Sequence, residues 1–162
     1  MKYFNEIKTI NELKKEYKKL AMKLHPDRNK HKDTTAEFQE MQNEYEKVFE
    51  QVKNIHKNSK GETYTKETNE NIEVFKNIIE KIIHFELVNI EIIGDWIWLS
   101  GNTKSYKDEI KDLKFRWSSN KLAWYYHEGQ FRKKSKNNYS LDELRQQFGS
   151  EIIENEYQRK LA

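Results

Sequence analysis

Residues 9–29 read TINELKKEYKKLAMKLHPDRN, and this stretch predicts a helix that runs into a proline-stiffened loop. Thr9 and Glu12 match a capping box, in which a hydroxyl and a carboxylate satisfy free amides at a helix start. The apolar residues then recur at helical steps of four, three and four: Leu13, Tyr17, Leu20 and Leu24. Proline lacks an amide hydrogen and restricts the residue before it, so the helix should end at His25, before Pro26.

A second helical stripe follows a loop that we expect to run from His25 to about Asp33. Its apolar members recur at steps of three and four: Phe38, Met41, Tyr45, Val48 and Val52. Asp33 or Thr34 can cap this helix. Two such stripes joined by a short loop should pack as an antiparallel helical hairpin with the loop exposed at its tip. A short helical turn is expected to close the open side of the hairpin, formed by Tyr3, Phe4 and Ile7.

The pattern then changes twice along the chain. Residues 59–70 are almost entirely polar and predict a linker, after which helical spacing returns from Ile72 to about Phe85. From Leu87 the apolar period is two, and Gly94-Asp95 is typical of the turn in a β-hairpin.

Three further elements are expected after this hairpin. They are a helix from Thr103 or Ser105 to Leu113, an aromatic strand at 121–127, and a short helix from Ser140 that ends at Gly149. The sequence therefore predicts an α+β protein. An all-α hairpin would occupy residues 1–58, a linker 59–70, a small α+β domain with a three-stranded antiparallel sheet 71–150, and a tail 151–162.

The composition limits the classes of function. The formal net charge is only +3, so binding to polyanions would need local clusters of charge. The chain has no cysteine, which excludes disulfides and thiolate metal sites and fits a reducing compartment. No apolar run approaches the roughly 18 residues of a membrane span, and the first residues lack a signal-peptide core. We therefore expect a cytoplasmic protein with no membrane role.

The first helix, its loop and the start of the second helix resemble the J-domain of DnaJ-type proteins. The resemblance is carried by residues 12–29, ELKKEYKKLAMKLHPDRN, with His25-Pro26-Asp27 placed between two helices, and it extends to Phe38 and Tyr45. It implies that the hairpin binds a DnaK-type chaperone and that the loop stimulates the ATPase of that partner. The chain itself would then be no enzyme, and it would need no cofactor.

The resemblance also implies which residues contact the chaperone. They are His25, Pro26, Asp27, Arg28 and Asn29 in the loop, Lys14, Tyr17, Lys18 and Lys19 on the preceding helix, and Phe38 behind the loop. Asp27 would meet an arginine of the chaperone in a charge-assisted contact. Two simpler interpretations remain open, because proline also ends ordinary helices and a row of lysines is often a solvated face. Tyr17 has the spacing of a core residue as well.

The chain departs from similar J-domains in two respects. The helix that precedes Thr9 in similar J-domains is much reduced here and its loop to Thr9 is shorter, and no glycine/phenylalanine-rich stretch or zinc-binding cysteine repeat follows the hairpin. It therefore looks like the minimal class of J-domain proteins, in which a J-domain is joined to an unrelated domain. That second domain would recruit a client or a complex.

The aromatic residues of the second half allow two interpretations. All four tryptophans lie there, at positions 96, 98, 117 and 124, and aromatic residues usually fill the core of a small domain. Strand alternation nonetheless places Trp96, Trp98 and Tyr125 on the face opposite Ile97 and Leu99. Either a helix such as the one from residue 72 to 85 covers that face, or an aromatic platform is exposed.

An exposed platform would be a binding surface, and a basic run lies nearby in sequence: Arg132, Lys133, Lys134 and Lys136. Aromatic rings beside basic groups can bind single-stranded nucleic acid by stacking and phosphate contact. The alternative function is therefore a nucleic-acid-binding adaptor, although such a run is more often a solvated loop. His84 and His127 lack metal-ligand spacing and no glycine-rich phosphate loop is present, so neither a metal site nor catalysis is expected here.

Overall fold

The computed structural model describes residues 1–129 and 138–149. The chain divides into two compact units. The first comprises Met1–Asn58 with Glu62–His84, and the second comprises Ser59–Gly61 with the described residues from Phe85 onward. The described chain is mixed α+β, as predicted.

The helical hairpin forms the first part of the first unit. Helix α1 spans Ile10–Leu24 and helix α2 spans Thr35–Val52. The Thr9 hydroxyl accepts a hydrogen bond from the Glu12 amide at 3.3 Å, which confirms Thr9 as the cap of α1. Tyr17 and Tyr45 meet between the helices with ring centroids 4.3 Å apart, and both are fully buried. The two predicted stripes therefore form one core.

The chain before α1 does not form the expected helical turn. Instead, the Glu44 carboxylate on α2 accepts hydrogen bonds from the backbone amides of Tyr3 at 2.9 Å and Phe4 at 2.8 Å. Phe4 is buried with its ring 5.8 Å from that of Tyr45. A carboxylate that holds backbone amides fixes this segment without helical hydrogen bonds, so apolar spacing alone misled the prediction.

The segment predicted as a linker contains part of a small β-ribbon. Strand β1, Ile55–Lys57, pairs antiparallel with strand β2, Thr63–Thr65. The buried His56 ring stacks on Tyr64, and its Nε2 lies 3.0 Å from the carbonyl oxygen of Lys66. Each strand has three residues and β2 is exposed throughout, so no apolar alternation marked them in the sequence.

Helix α3, Ile72–Ile82, belongs to the first unit. The Asn71 side chain caps it by accepting a hydrogen bond from the Glu73 amide at 2.9 Å. The ring of Phe75 lies 5.8 Å from that of Tyr17 and 6.3 Å from that of Tyr45. This helix was predicted to belong to the second domain, whereas in the structure it packs on the hairpin.

The second unit contains a four-stranded antiparallel sheet, where three strands were expected. Its strands are Val88–Ile93 (β3), Trp96–Gly101 (β4), Arg116–Ser118 (β5) and Ala123–Tyr126 (β6), and their order in the sheet is β3-β4-β6-β5. The turn at Gly94-Asp95 is confirmed, since Ile93 pairs directly with Trp96. The unpredicted strand is β5, whose three residues are too few to show a period.

Two helices complete the described part of this unit. Helix α4, Lys107–Asp112, follows a 3₁₀ turn at Lys104–Tyr106, and helix α5 spans Leu141–Phe148. Ser140 and Glu143 form a capping box at the start of α5. Among the described residues, no helix has both the length and the apolar content that crossing a membrane requires.

Candidate functional site

The loop after α1 turns at once into a short 3₁₀ helix, Pro26–Arg28. His25 has φ −59° and ψ 128°, the extended conformation that a following proline imposes. Its Nδ1 accepts a hydrogen bond from the Asp27 amide at 3.3 Å. The Asp27 side chain is left exposed, so the loop fixes the backbone of this residue and presents its carboxylate to solvent.

The side chains of the two residues after Asp27 donate hydrogen bonds to backbone carbonyls of the first unit. The Asn29 side-chain amide donates to the carbonyl oxygens of Lys23 at 2.8 Å and His25 at 2.9 Å, which supplies donors to carbonyls at the end of α1. The Arg28 guanidinium donates to the carbonyl oxygen of Met22 at 3.1 Å and to that of Ile83 at 2.5 Å. These side chains brace the loop against α1 and against the end of α3.

His25 packs between two rings, each with its centroid 5.0 Å away: Phe38 of α2 and His84. Burial, and next the charge of His84, lower the pKa of His25 from its ordinary value of 6.5. The neutral imidazole is the form that can accept the Asp27 amide hydrogen at Nδ1. The environment of His25 therefore favours the protonation state that closes the loop.

The predicted basic face of α1 divides into a buried part and an exposed part. Lys14, Tyr17 and Lys18 are 5%, 0% and 2% exposed. The Lys14 ammonium forms an ion pair with Glu70 and lies 5.2 Å above the ring of Phe75. The structure thus places these three inside the first unit. Lys19 is exposed and so is Lys23 one turn later, and the two lead toward the loop.

Three residues outside the hairpin that contact the predicted site residues were not predicted from the sequence. These are Glu70 beside Lys14, Ile83 beneath Arg28, and His84 beside His25. The signal available was the helical spacing from Ile72, which showed that α3 must bury a face. It did not show that the hairpin is its partner.

The side chains around the His25-Pro26-Asp27 loop have a geometry that could hold a metal ion. His25, Asp27 and His84 each offer a ligand atom, and the three atoms lie within 4.8 Å of one another. Coordination at Nδ1 of His25 would displace the hydrogen bond from Asp27, so it would compete with the loop described above. The expectation that the chain binds no metal stays a prediction.

The aromatic surface predicted in the second half is largely covered. Trp98 is 5% exposed and Trp96 and Tyr125 are half-buried, because Leu141 and Leu144 of α5 pack against this face of the sheet. The covering helix is α5, and the helix from residue 72 named as a candidate is α3 of the first unit. The basic residues predicted beside this surface lie outside the described residues: Arg132, Lys133, Lys134 and Lys136.

Comparison with known proteins identifies the family to which the hairpin belongs. Residues 4–55 match the family model of the DnaJ domain. The match includes α1, the 3₁₀ turn and α2, and it stops before α3 and before Glu70. No solved structure matches the chain. The chain therefore carries a DnaJ domain, a J-domain, followed by a separate C-terminal region.

Proposed function

We propose that the first unit binds a DnaK-type chaperone through the His25-Pro26-Asp27 loop and stimulates its ATPase. A J-domain implies co-chaperone activity in general. The observation that supports the specific role of this loop is the exposed carboxylate of Asp27 on a backbone fixed by His25. Arg28 and Asn29 are engaged within the unit, so Asp27 is the exposed charged residue among residues 25–29.

The chemistry of ATP hydrolysis belongs to the partner under this proposal. Asp27 would accept hydrogen bonds from a guanidinium of the chaperone, a contact that is strong and geometrically specific because both groups are charged. The braced loop would meet the chaperone with little loss of conformational freedom on binding. The chain would act as an activator and would not itself be an enzyme.

Lys19 and Lys23 are the lysines of α1 that we propose guide the encounter. Their side chains are exposed on the helix that leads to the loop. Complementary charge chiefly raises the rate of association, so these residues should affect how readily the complex forms. Lys14 and Lys18, by contrast, would act through the stability of the unit, since both are buried.

The second unit is proposed to recruit what the chaperone acts on, a client protein or a complex, in the cytoplasm. This arrangement follows from a J-domain joined to a region outside the family match. The alternative role, a nucleic-acid-binding adaptor, is no longer supported by the aromatic surface predicted from the sequence, because α5 packs over Trp98.

A steady-state ATPase assay with a purified DnaK-type chaperone tests the proposal. The full chain should raise the rate, and Asp27→Asn, which keeps the size of the side chain and removes its charge, should abolish the increase. Glu67→Gln is the matched control, because it neutralises another exposed carboxylate of the same unit. Failure of the full chain to stimulate, or equal stimulation by Asp27→Asn, would overturn the proposed function.

A further inference from the structure

An open cleft in the second unit combines exposed basic groups with two indole rings. Its volume is about 410 Å³, and it is lined by Thr103, Lys104, Lys107, Lys111, Trp117 and Trp124. Ligand pockets for small molecules range over about 300–1,000 Å³, so this cleft has room for one nucleotide-sized group.

The aromatic wall of the cleft comes from neighbouring strands. Trp117 of β5 pairs directly with Trp124 of β6, and their ring centroids are 5.4 Å apart at an interplanar angle of 62°. Trp124 is 7% exposed and anchored in the sheet, whereas Trp117 is 46% exposed. The pairing on Trp124 therefore orients an indole that keeps much of its surface open to a ligand.

The basic wall comes from α4 and the 3₁₀ turn before it. Lys104, Lys107 and Lys111 are exposed and spaced by three and four residues, so they share one side of the turn and helix. Among the described residues, no carboxylate forms an ion pair with any of the three. The acidic residues of α4 do not line the cleft: Asp108, Glu109 and Asp112.

We propose that this cleft binds single-stranded nucleic acid, with a base against Trp117 and phosphates on the lysines. Stacking on an aromatic ring and neutralisation of the backbone by lysine are the two interactions that such sites combine. An acidic peptide would satisfy the lysines but would leave the indole surface without a planar partner. This site shares no residue with the aromatic surface under α5, and it does not depend on the chaperone proposal.

Fluorescence anisotropy of a labelled oligothymidine of about twelve nucleotides tests the site in the full chain at low salt. Binding should weaken as salt is raised, because lysine contacts release counterions from the strand. Trp117→Ala should weaken binding at least about fivefold, through lost stacking. Lys107→Gln should weaken it and also reduce the slope of affinity against salt concentration.

Two controls and two competitors complete the design. Tyr64→Ala and Lys47→Gln change an exposed aromatic and an exposed lysine of the first unit, and should leave the affinity unchanged. Near-ultraviolet circular dichroism checks that each cleft variant keeps its fold. Competition by thymidine monophosphate at equal nucleotide concentration would assign the site to free nucleotides, and preferential binding of a glutamate-rich peptide would assign it to acidic protein. No binding by the wild-type chain at low salt, or binding by both cleft variants as tight as that of the wild type, would also overturn the proposal.

Discussion

His25 couples the protonation of one ring to the shape of the loop. The imidazole accepts the Asp27 amide hydrogen only when it is neutral, and burial together with His84 lowers its pKa below 6.5. The folded state therefore binds this proton less tightly than the unfolded state does. The contribution of neutral His25 to the free energy of unfolding is fully present above pH 6.5. It is lost as the pH falls from 6.5 through the pKa of the folded state.

Replacement of His84, whose ring packs against that of His25, tests this coupling. In the variant His84→Ala the pKa of His25 should rise toward 6.5, because the charge of His84, one of the three causes that lower this pKa, is removed. It should not reach 6.5, since burial remains. NMR titration of the imidazole signals with a metal chelator present measures the change. An unchanged or lower pKa for His25 in this variant would contradict the contact seen in the structure.

Asn29 is expected to matter for stability more than for recognition. Its side chain donates to two carbonyl groups at the end of α1, so Asn29→Ala leaves both without these donors. We expect a loss of about 1–2 kcal/mol in the free energy of unfolding, measured by urea denaturation. At temperatures where the variant is folded it should still stimulate the chaperone, unlike Asp27→Asn. Full stability with lost stimulation would instead show that Asn29 contacts the partner.

At the scale of elements, α3 packs on the helical hairpin as a third helix. It lies outside the family match, yet Phe75 contacts the tyrosines of both hairpin helices. The buried Lys76 ammonium adds ion pairs to Glu46 of α2 at 2.8 Å and to Glu73 at 3.2 Å. The hairpin therefore gains a third apolar surface from residues that follow it in sequence.

Truncation of one core side chain in α3 should weaken the whole hairpin. Ile79 is fully buried, and Ile79→Ala should cost about 2–5 kcal/mol through lost burial and the cavity that remains. Asn77→Ala, at an exposed position of the same helix, is the control. Hydrogen exchange of the α1 and α2 amides reports the effect. If Ile79→Ala left this exchange unchanged, α3 would not be part of the folded J-domain unit.

Helix α5 is held on the sheet by a buried charge. Glu91 is fully buried and its two oxygens accept hydrogen bonds from the Arg145 guanidinium at 2.6 and 2.7 Å. Arg145→Leu would leave the carboxylate without this partner, so we expect a loss of about 3 kcal/mol in the stability of the second unit. Tryptophan fluorescence during chemical denaturation measures it, since all four tryptophans lie there. The double variant with Glu91→Gln should recover part of the loss, and no recovery would contradict the pairing.

The sequence predicted the caps, loops and turns that neighbouring residues determine, but it did not predict contacts between residues that lie far apart along the chain. The caps at Thr9 and Ser140, the loop at Pro26 and the turn at Gly94-Asp95 are set by neighbouring residues, and the structure has each. The burial of Lys14 depends on Glu70, far along the chain, and a lysine on an amphipathic helix otherwise resembles a solvated one. The helical spacing of apolar residues likewise showed that α3 buries one face, but it did not show which element that face packs against.

At the scale of the whole molecule, charge is nearly balanced. The 30 basic and 27 acidic residues leave a formal net charge of +3, so the field of the whole chain offers little steering toward an acidic partner. With Lys14 and Lys18 buried, the exposed cations along α1 that lead to Asp27 are few. Electrostatic attraction between exposed charges is screened over about 8 Å at physiological ionic strength, so only local charge can guide docking.

Two variants with the same net charge separate local from global steering. Lys19→Gln with Lys23→Gln removes two exposed cations next to the loop, whereas Lys47→Gln with Lys81→Gln removes two exposed cations of α2 and α3. At low salt the first pair should raise the concentration of chain needed for half-maximal ATPase stimulation by about threefold or more, and the second pair should change it little. At high salt the wild type should approach the first pair, because screening removes the same attraction. Equal effects of the two pairs would mean that net charge guides the encounter, and the α1 lysines would then have no special place in docking.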